Sequence, residues 1–173
     1  VRDEQIAIMN DPERMPAMLP LIFQPKGTIG LEPMLFPSIV GPIGQPAKEA
    51  MYPAISTADG TPMNAQNDYV IRMTADELPP ANAFWSLTLY DEVNGFFIPN
   101  EQKKYSVGEN SGFKLNDEGG IDIYISAEQP EGVPEENWLP IERSDLGLNM
   151  ILRVYAPDLE KMKTWQAPKA IKL

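Results

Sequence analysis

Asn82-Ala83-Phe84-Trp85-Ser86-Leu87-Thr88-Leu89-Tyr90-Asp91, followed by Asn94-Gly95 and Phe96-Phe97-Ile98, is the stretch that decides the fold. Its side chains alternate with period two: Trp85, Leu87 and Leu89 share one face, and Phe84, Ser86, Thr88 and Tyr90 share the other. Strict alternation of this kind belongs to a strand with one face in a core. Asn94-Gly95 is a hairpin-type pair, because both positions tolerate positive φ.

The same period recurs downstream. Ile121, Ile123 and Ile125 alternate within 121–126, and Leu148, Met150, Leu152 and Val154 alternate within a strand expected at 147–155 as the last of the chain. Residues 105–107 read as a short strand, and Asn116 to Gly120 as a turn. Residues 50–57 and 68–73 read as strands flanking a turn at Asp59-Gly60, and Pro157-Asp158 as the start of a brief helix to about Thr164. Short strands punctuated by Gly and Pro, with almost no helix, predict an all-β fold, an antiparallel β-sandwich of jelly-roll type with short peripheral helices.

Residues 11–46 break the pattern. They hold eight of the 18 prolines, at 12, 16, 20, 25, 33, 37, 42 and 46. Each proline removes an N–H donor and restricts the residue before it. The expectation is therefore an extended arm with neither helix nor central strand, preceded by a short helix near 4–10. The arm also carries Met15, Met18, Leu19, Leu21, Ile22, Phe23, Leu35 and Phe36, too apolar for a free linker, so it should lie on a surface. The expected division is an arm or fragment of an upstream domain over 1–45 and a β domain over 46–173.

Composition narrows function. The chain has 173 residues and a formal net charge of −11, with no His and no Cys. Zinc sites of the usual ligand sets, thiol nucleophiles, His bases and Ser-His-Asp triads are absent from its repertoire. Acids outnumber Lys and Arg 25 to 14, the wrong sign for a phosphate-backbone binder. From Glu109 to Asp145 there are ten acids against Lys114 and Arg143, whereas 159–173 holds Glu160 against four lysines; both read as solvated surface. No run approaches the ~20 apolar residues of a membrane span. The chain opens Val1-Arg2-Asp3 without Met, and with the acidic surface this favours an envelope, periplasmic or extracellular setting over a cytoplasmic one.

Carboxylates are the remaining acid–base chemistry, and Asp91, Asp122, Glu142 and Asp145 adjoin apolar strands where desolvation raises a pKa. Asn137-Trp138 stands in an acidic, Pro-containing loop, where an indole can stack on a sugar or apolar ring while the amide orients it. The competing reading is a Trp that plugs one end of the fold. Arg153, with Lys103 and Lys104, could hold an anion; a pairing of Arg153 with an acid such as Asp122 is the plainer expectation. The ligand candidates are thus Asn137, Trp138, Asp91 and Arg153. Asn116 to Gly120 lacks the spaced acids of a calcium loop, and Gly27-Thr28-Ile29-Gly30 lacks the strand and helix of a phosphate loop. No metal and no cofactor are expected.

Phe84 to Asp91, Gly95-Phe96, Pro99-Asn100, Tyr105 to Gly108, Asp122 to Ile125, Asn137 to Pro140, Leu152 to Tyr155 and Trp165 to Pro168 resemble, in order, the DUF1214 family. Tyr52-Pro53, Asp59-Gly60 and Tyr69-Val70-Ile71 fit upstream, so the resemblance spans about 46–173. It implies a β-sandwich domain, often found alone or C-terminal to a DUF1254 domain. It carries no catalytic residues, because the family has no assigned function. Two functions follow. The first is a non-catalytic binding or assembly module whose residues 1–45 contact another subunit (a homo-oligomer) or an upstream domain. The alternative is a carboxylate-based hydrolase or carbohydrate-active domain using the Asn137/Trp138 loop, with a small molecule or carbohydrate as ligand.

Overall fold

The computed structural model describes residues 3, 4, 7, 14, 27–40 and 45–173. The chain divides into two compact units, 1–51 and 52–173. In the first, Asp3, Glu4, Ala7 and Arg14 are helical; the other residues of the predicted 4–10 helix lie outside the described residues. Residues 31–40, within the proline-rich stretch, form helix α1 (Leu31–Val40), against the expectation that prolines bar helix there. Pro33 lies in the first turn, where backbone N–H groups have no intrahelical acceptor and proline is tolerated. Pro37 costs one ladder bond, and Ser38 Oγ adds a bond to the Met34 carbonyl at 2.7 Å. Most of the remaining arm lies outside the described residues. The unit closes with β1 (Ala50–Met51).

The regular structure of the second unit is mostly strand. In one sheet β8 (Gly147–Pro157) pairs antiparallel with β4 (Ala81–Asp91), β4 with β5 (Ser106–Gly108), and β2 (Met63–Asn64) adds a two-residue pairing to β8. The other sheet has the order β7 (Trp138–Pro140), β6 (Ile121–Ser126), β3 (Tyr69–Met73), β9 (Ala170–Lys172). The two sheets share one hydrophobic core: Trp85, Leu87, Leu89, Val107, Met150, Leu152 and Val154 from the first, and Tyr69, Ile71, Ile121, Ile123, Ile125, Leu139 and Ala170 from the second. Every position that the alternation placed inward is buried.

Three local expectations fail, and a fourth, the brief helix, holds in part. No hairpin joins 50–57 to 68–73; β3 instead pairs with β6 and β9, and Asp59-Gly60 closes a local turn in which Asp59 Oδ1 accepts from Thr61 N at 3.0 Å. The lysine-rich tail is not merely solvated, since Ala170 is fully buried and β9 follows β8 as the last strand. The brief helix is α2 (Leu159–Met162), capped by Asp158, whose carboxylate accepts from Glu160 N and Lys161 N; Pro157 ends β8 rather than opening the helix. Finally β7, read as loop, pairs with β6 in parallel, Tyr124 opposite Trp138. Three residues are too few for a periodic signal to emerge from sequence.

Ile123 and Leu152 lie on opposite sheets of the shared core with no solvent exposure. Ile123→Asp and Leu152→Asp each place an unpaired carboxylate there, so neither variant should give a cooperative thermal transition. A parent-like melt for Ile123→Asp would mean that β6 presents the opposite face inward.

Candidate functional site

The outward side of the β4–β8 ladder gathers aromatic rings, hydroxyls and an arginine. Residues directly opposite in an antiparallel pair share a face. The register therefore sets Phe84 beside Tyr155, Ser86 beside Arg153, Thr88 beside Ile151 and Tyr90 beside Asn149, all facing away from the core. β5 extends this face, with Ser106 opposite Thr88 and Gly108 opposite Ser86. Gly108 permits the close approach: a Cβ there would lie 2.6 Å from the Trp85 carbonyl oxygen and 2.9 Å from Ser86 Cβ.

Aromatic rings frame the face. At one end Phe84 stacks on Tyr155, with centroids 4.3 Å apart. At the other, the turn after β4 brings Phe97 back beside Tyr90. Gly95 supplies positive φ (71°), Gly95 N–H donates to the Asp91 carbonyl at 2.9 Å, and Asp91 N–H donates to the Phe96 carbonyl at 2.8 Å. Phe97 then sits between Tyr90 (5.3 Å) and Tyr105 (4.9 Å), a three-ring column in the offset-stacking range. Phe96 and Phe97 are 73% and 50% exposed, so the column's edge meets solvent.

Arg153 stands between these ring groups. Its guanidinium carbon lies 5.5 Å from the centre of the Tyr90 ring, and Nη2 donates to Tyr90 Oη at 2.9 Å. The expected partner Asp122 is taken elsewhere: it opposes Arg72 across β3 and β6 and accepts from Arg72 Nε at 3.2 Å. The parity of the two strands explains the difference, since Asp122 and Arg153 face outward on opposite sheets.

Asp91 is occupied by the turn. Its Oδ1 accepts from Val93 N (2.7 Å) and Asn94 N (3.2 Å), and Oδ2 accepts from Asn94 Nδ2 (2.6 Å). The Asn94 side-chain bond and these backbone bonds hold its carboxyl below the ordinary aspartate value, opposite to what a general acid needs. Asn137 and Trp138 are 4% and 6% exposed. Asn137 Nδ2 donates to the Lys114 and Asp122 carbonyls (2.8 and 3.1 Å) while Oδ1 accepts from Lys114 N (2.8 Å), and Trp138 Nε1 donates to the Ser126 carbonyl (3.1 Å). Both side chains spend their polar atoms on backbone.

The other charged candidates are scattered. Asp145 accepts from Asn64 Nδ2 at 2.9 Å, and Glu142 is exposed. Lys104 donates to the Glu135 carbonyl, and burial lowers its pKa against the opposing pull of Glu135 and Glu136. Burial raises the Glu109 carboxyl, partly offset by the Trp85 N–H. An open depression of 340 Å³ is lined by Arg72, Thr74, Glu77, Asn116 and Asp122, but Glu77 is turned onto Thr74 N (2.9 Å) and Asp122 onto Arg72. Among the described residues no three acidic side chains converge as a metal site.

Of the four ligand candidates, only Arg153 joins the aromatic face. Its companions Tyr90, Phe97 and Tyr105 were missed as a group. The alternation did place Tyr90 outward, and the Asn94-Gly95 turn did return Phe97 toward it, so the pair was within reach; Tyr105, just before β5, carried no such signal. Asn137→Ala removes three bonds from a buried clamp and should lower stability by about 3 kcal/mol, seen as a fall of roughly 10 °C in Tm. An unchanged melt would show that the Lys114 segment is held without it.

Comparison with known proteins agrees with this architecture. The crystal structure of the VPA0106 protein from Vibrio parahaemolyticus is similar, with a TM-score of 0.71 at 22% identity over 93% of this chain and 43% of that one. At that identity the likeness is one of fold, and the chain spans less than half of that protein's length. An uncharacterised protein from Burkholderia cenocepacia aligns with a TM-score of 0.48 and 18% identity, over 80% of this chain and 32% of that one. No curated protein matches the sequence. The family model described as "Protein of unknown function (DUF1214)" matches residues 49–159, which take in β1 to β8, and the chain is therefore a member of the DUF1214 family.

Proposed function

We propose that this chain is a non-catalytic binding and assembly module, a β-sandwich of jelly-roll type that holds a small ring-bearing ligand, a carbohydrate or other small molecule, on the outer face of β4, β5 and β8. The observation that carries this reading is the aromatic column Tyr90–Phe97–Tyr105, with exposed Phe96 and Phe97 at its edge and Arg153 at its end. Stacked, pre-ordered rings offer contact area at little further entropic cost, a feature of sites that bind rather than react. Less supports the carboxylate-hydrolase alternative, because Asp91 is held ionised by its turn and Asn137 and Trp138 are committed to backbone.

The assembly half rests on residues 1–45. On α1, Leu31, Met34 and Leu35 are exposed at i, i+3 and i+4, an apolar stripe of the kind that packs on another surface. The arm would use it to contact another copy of the chain or an upstream domain.

Two experiments test the halves separately. In an NMR titration with methyl glucoside and benzyl alcohol, amide shifts should concentrate in β4, β5, β8 and the Phe96–Phe97 turn; shifts centred on Asn137–Trp138 would overturn the site. Light scattering of the full chain should give a mass above that of a monomer, and removing residues 1–45 should leave a folded β unit that has lost it. A monomeric full chain whose truncated form cannot fold would make the arm part of the core.

A further inference from the structure

Half-buried arginines are normally neutralised, because desolvating a guanidinium is costly without a counter-charge. Arg153 departs from this: among the described residues no carboxylate lies within ion-pairing distance of it. A guanidinium carries five N–H donors, and Arg153 makes one hydrogen bond to the described residues, from Nη2 to Tyr90 Oη. Having accepted that bond, the Tyr90 hydroxyl keeps its own proton, and no acceptor for it is found among the described residues. The Ser86 hydroxyl, in register with Arg153, is also without a hydrogen-bond partner there. The unpartnered atoms of Arg153 and Ser86 are not fully buried.

A cation and two hydroxyl donors without an acceptor among the described residues form an electrostatic half-site that an anionic oxygen completes. The cation–π contact with Tyr90 and the bond to its hydroxyl restrain the guanidinium before anything binds, which lowers the ordering cost of a forked Arg–oxyanion contact. The surroundings narrow the ligand. One guanidinium in a chain of net charge −11 matches a single negative charge better than a doubly charged phosphate. From Phe84 to Tyr90 the strip runs about 20 Å, with rings at both ends and Ser86 half-buried between them, while Thr88 is buried.

We infer that Arg153, with Tyr90 and Ser86, is a carboxylate-binding site, and that the ligand is a small monocarboxylate with a flat apolar body lying against the flanking rings. This deepens the proposed binding role of the outer face and rests on it.

The test uses the full chain and four probes, benzoate, phenylacetate, benzyl alcohol and inorganic phosphate, followed by NMR titration. Benzoate and phenylacetate should bind with Kd on the order of 1–10 mM, as expected for fragments of this size, and should shift the Arg153 Nε–H signal. Benzyl alcohol should bind more weakly. Arg153→Gln should weaken benzoate about tenfold or more, the loss of a charge-assisted contact, and benzyl alcohol far less, with the amide spectrum still dispersed. Tyr90→Phe, which keeps the ring and removes the hydroxyl, should weaken benzoate about threefold to tenfold. Benzoate binding Arg153→Gln as well as the parent, or no better than benzyl alcohol, would sink the carboxylate site while leaving the aromatic face standing. Phosphate displacing benzoate would overturn the ligand class, and silence from both benzoate and benzyl alcohol would remove the face as a binding surface altogether.

Discussion

The antiparallel ladder between β4 and β8 carries the rest of the structure. Its register runs unbroken from Phe84 opposite Tyr155 to Asp91 opposite Leu148, beyond a bulge near Ala81 where Ala156 adopts positive φ (47°). One set of alternating positions supplies Trp85, Leu87, Leu89, Met150, Leu152 and Val154 to the core; the other supplies Phe84, Ser86, Tyr90, Arg153 and Tyr155 to the outer face. Because side-chain direction has period two, a slip of one residue would expose the first set and bury Arg153. Hydrophobic burial of the inner set is therefore the force that also fixes the outer constellation.

The second sheet acts as the backing plate. β6 sends three isoleucines into the shared core, and its flanks are tied by side chains that look ligand-like in sequence. Asn137 bonds the Lys114 segment and the Asp122 carbonyl, and Trp138 bonds the end of β6, so the short parallel strand β7 is held by amide and indole hydrogen bonds as well as by its ladder. A buried polar side chain is retained when its hydrogen bonds are satisfied, and these are.

Many of the acids serve the backbone rather than a reaction. Asp59, Glu77, Asp91 and Asp158 each accept from main-chain N–H groups at turns or helix starts, and the pKa of each is lowered. A carboxylate with a folded pKa below its unfolded value stabilises the fold above the unfolded pKa, and that contribution disappears as pH falls through the folded one. The negative charge thus has local structural uses at neutral pH, while Arg153 has no acid within ion-pairing distance among the described residues.

The sequence by itself determined the strands of the core, because Trp85, Ile123 and Leu152 sit in runs long enough for a period of two to be unmistakable, and Asn94-Gly95 encodes its own turn through local backbone preference. It also carried the family, through ordered short motifs. What it left undecided were the pairings between distant segments. β3 beside β6 and β9, the parallel β7, and the helix through Pro33 and Pro37 depend on partners or local bonds that no periodicity announces. The partner of Arg153 belongs to the same class: a linear reading finds Asp122 as a nearby opposite charge, but only the assignment of strands to two sheets puts Asp122 with Arg72 and turns Arg153 onto Tyr90. Contacts between side chains on separate strands are set by register and sheet membership, and those are properties of the assembled fold.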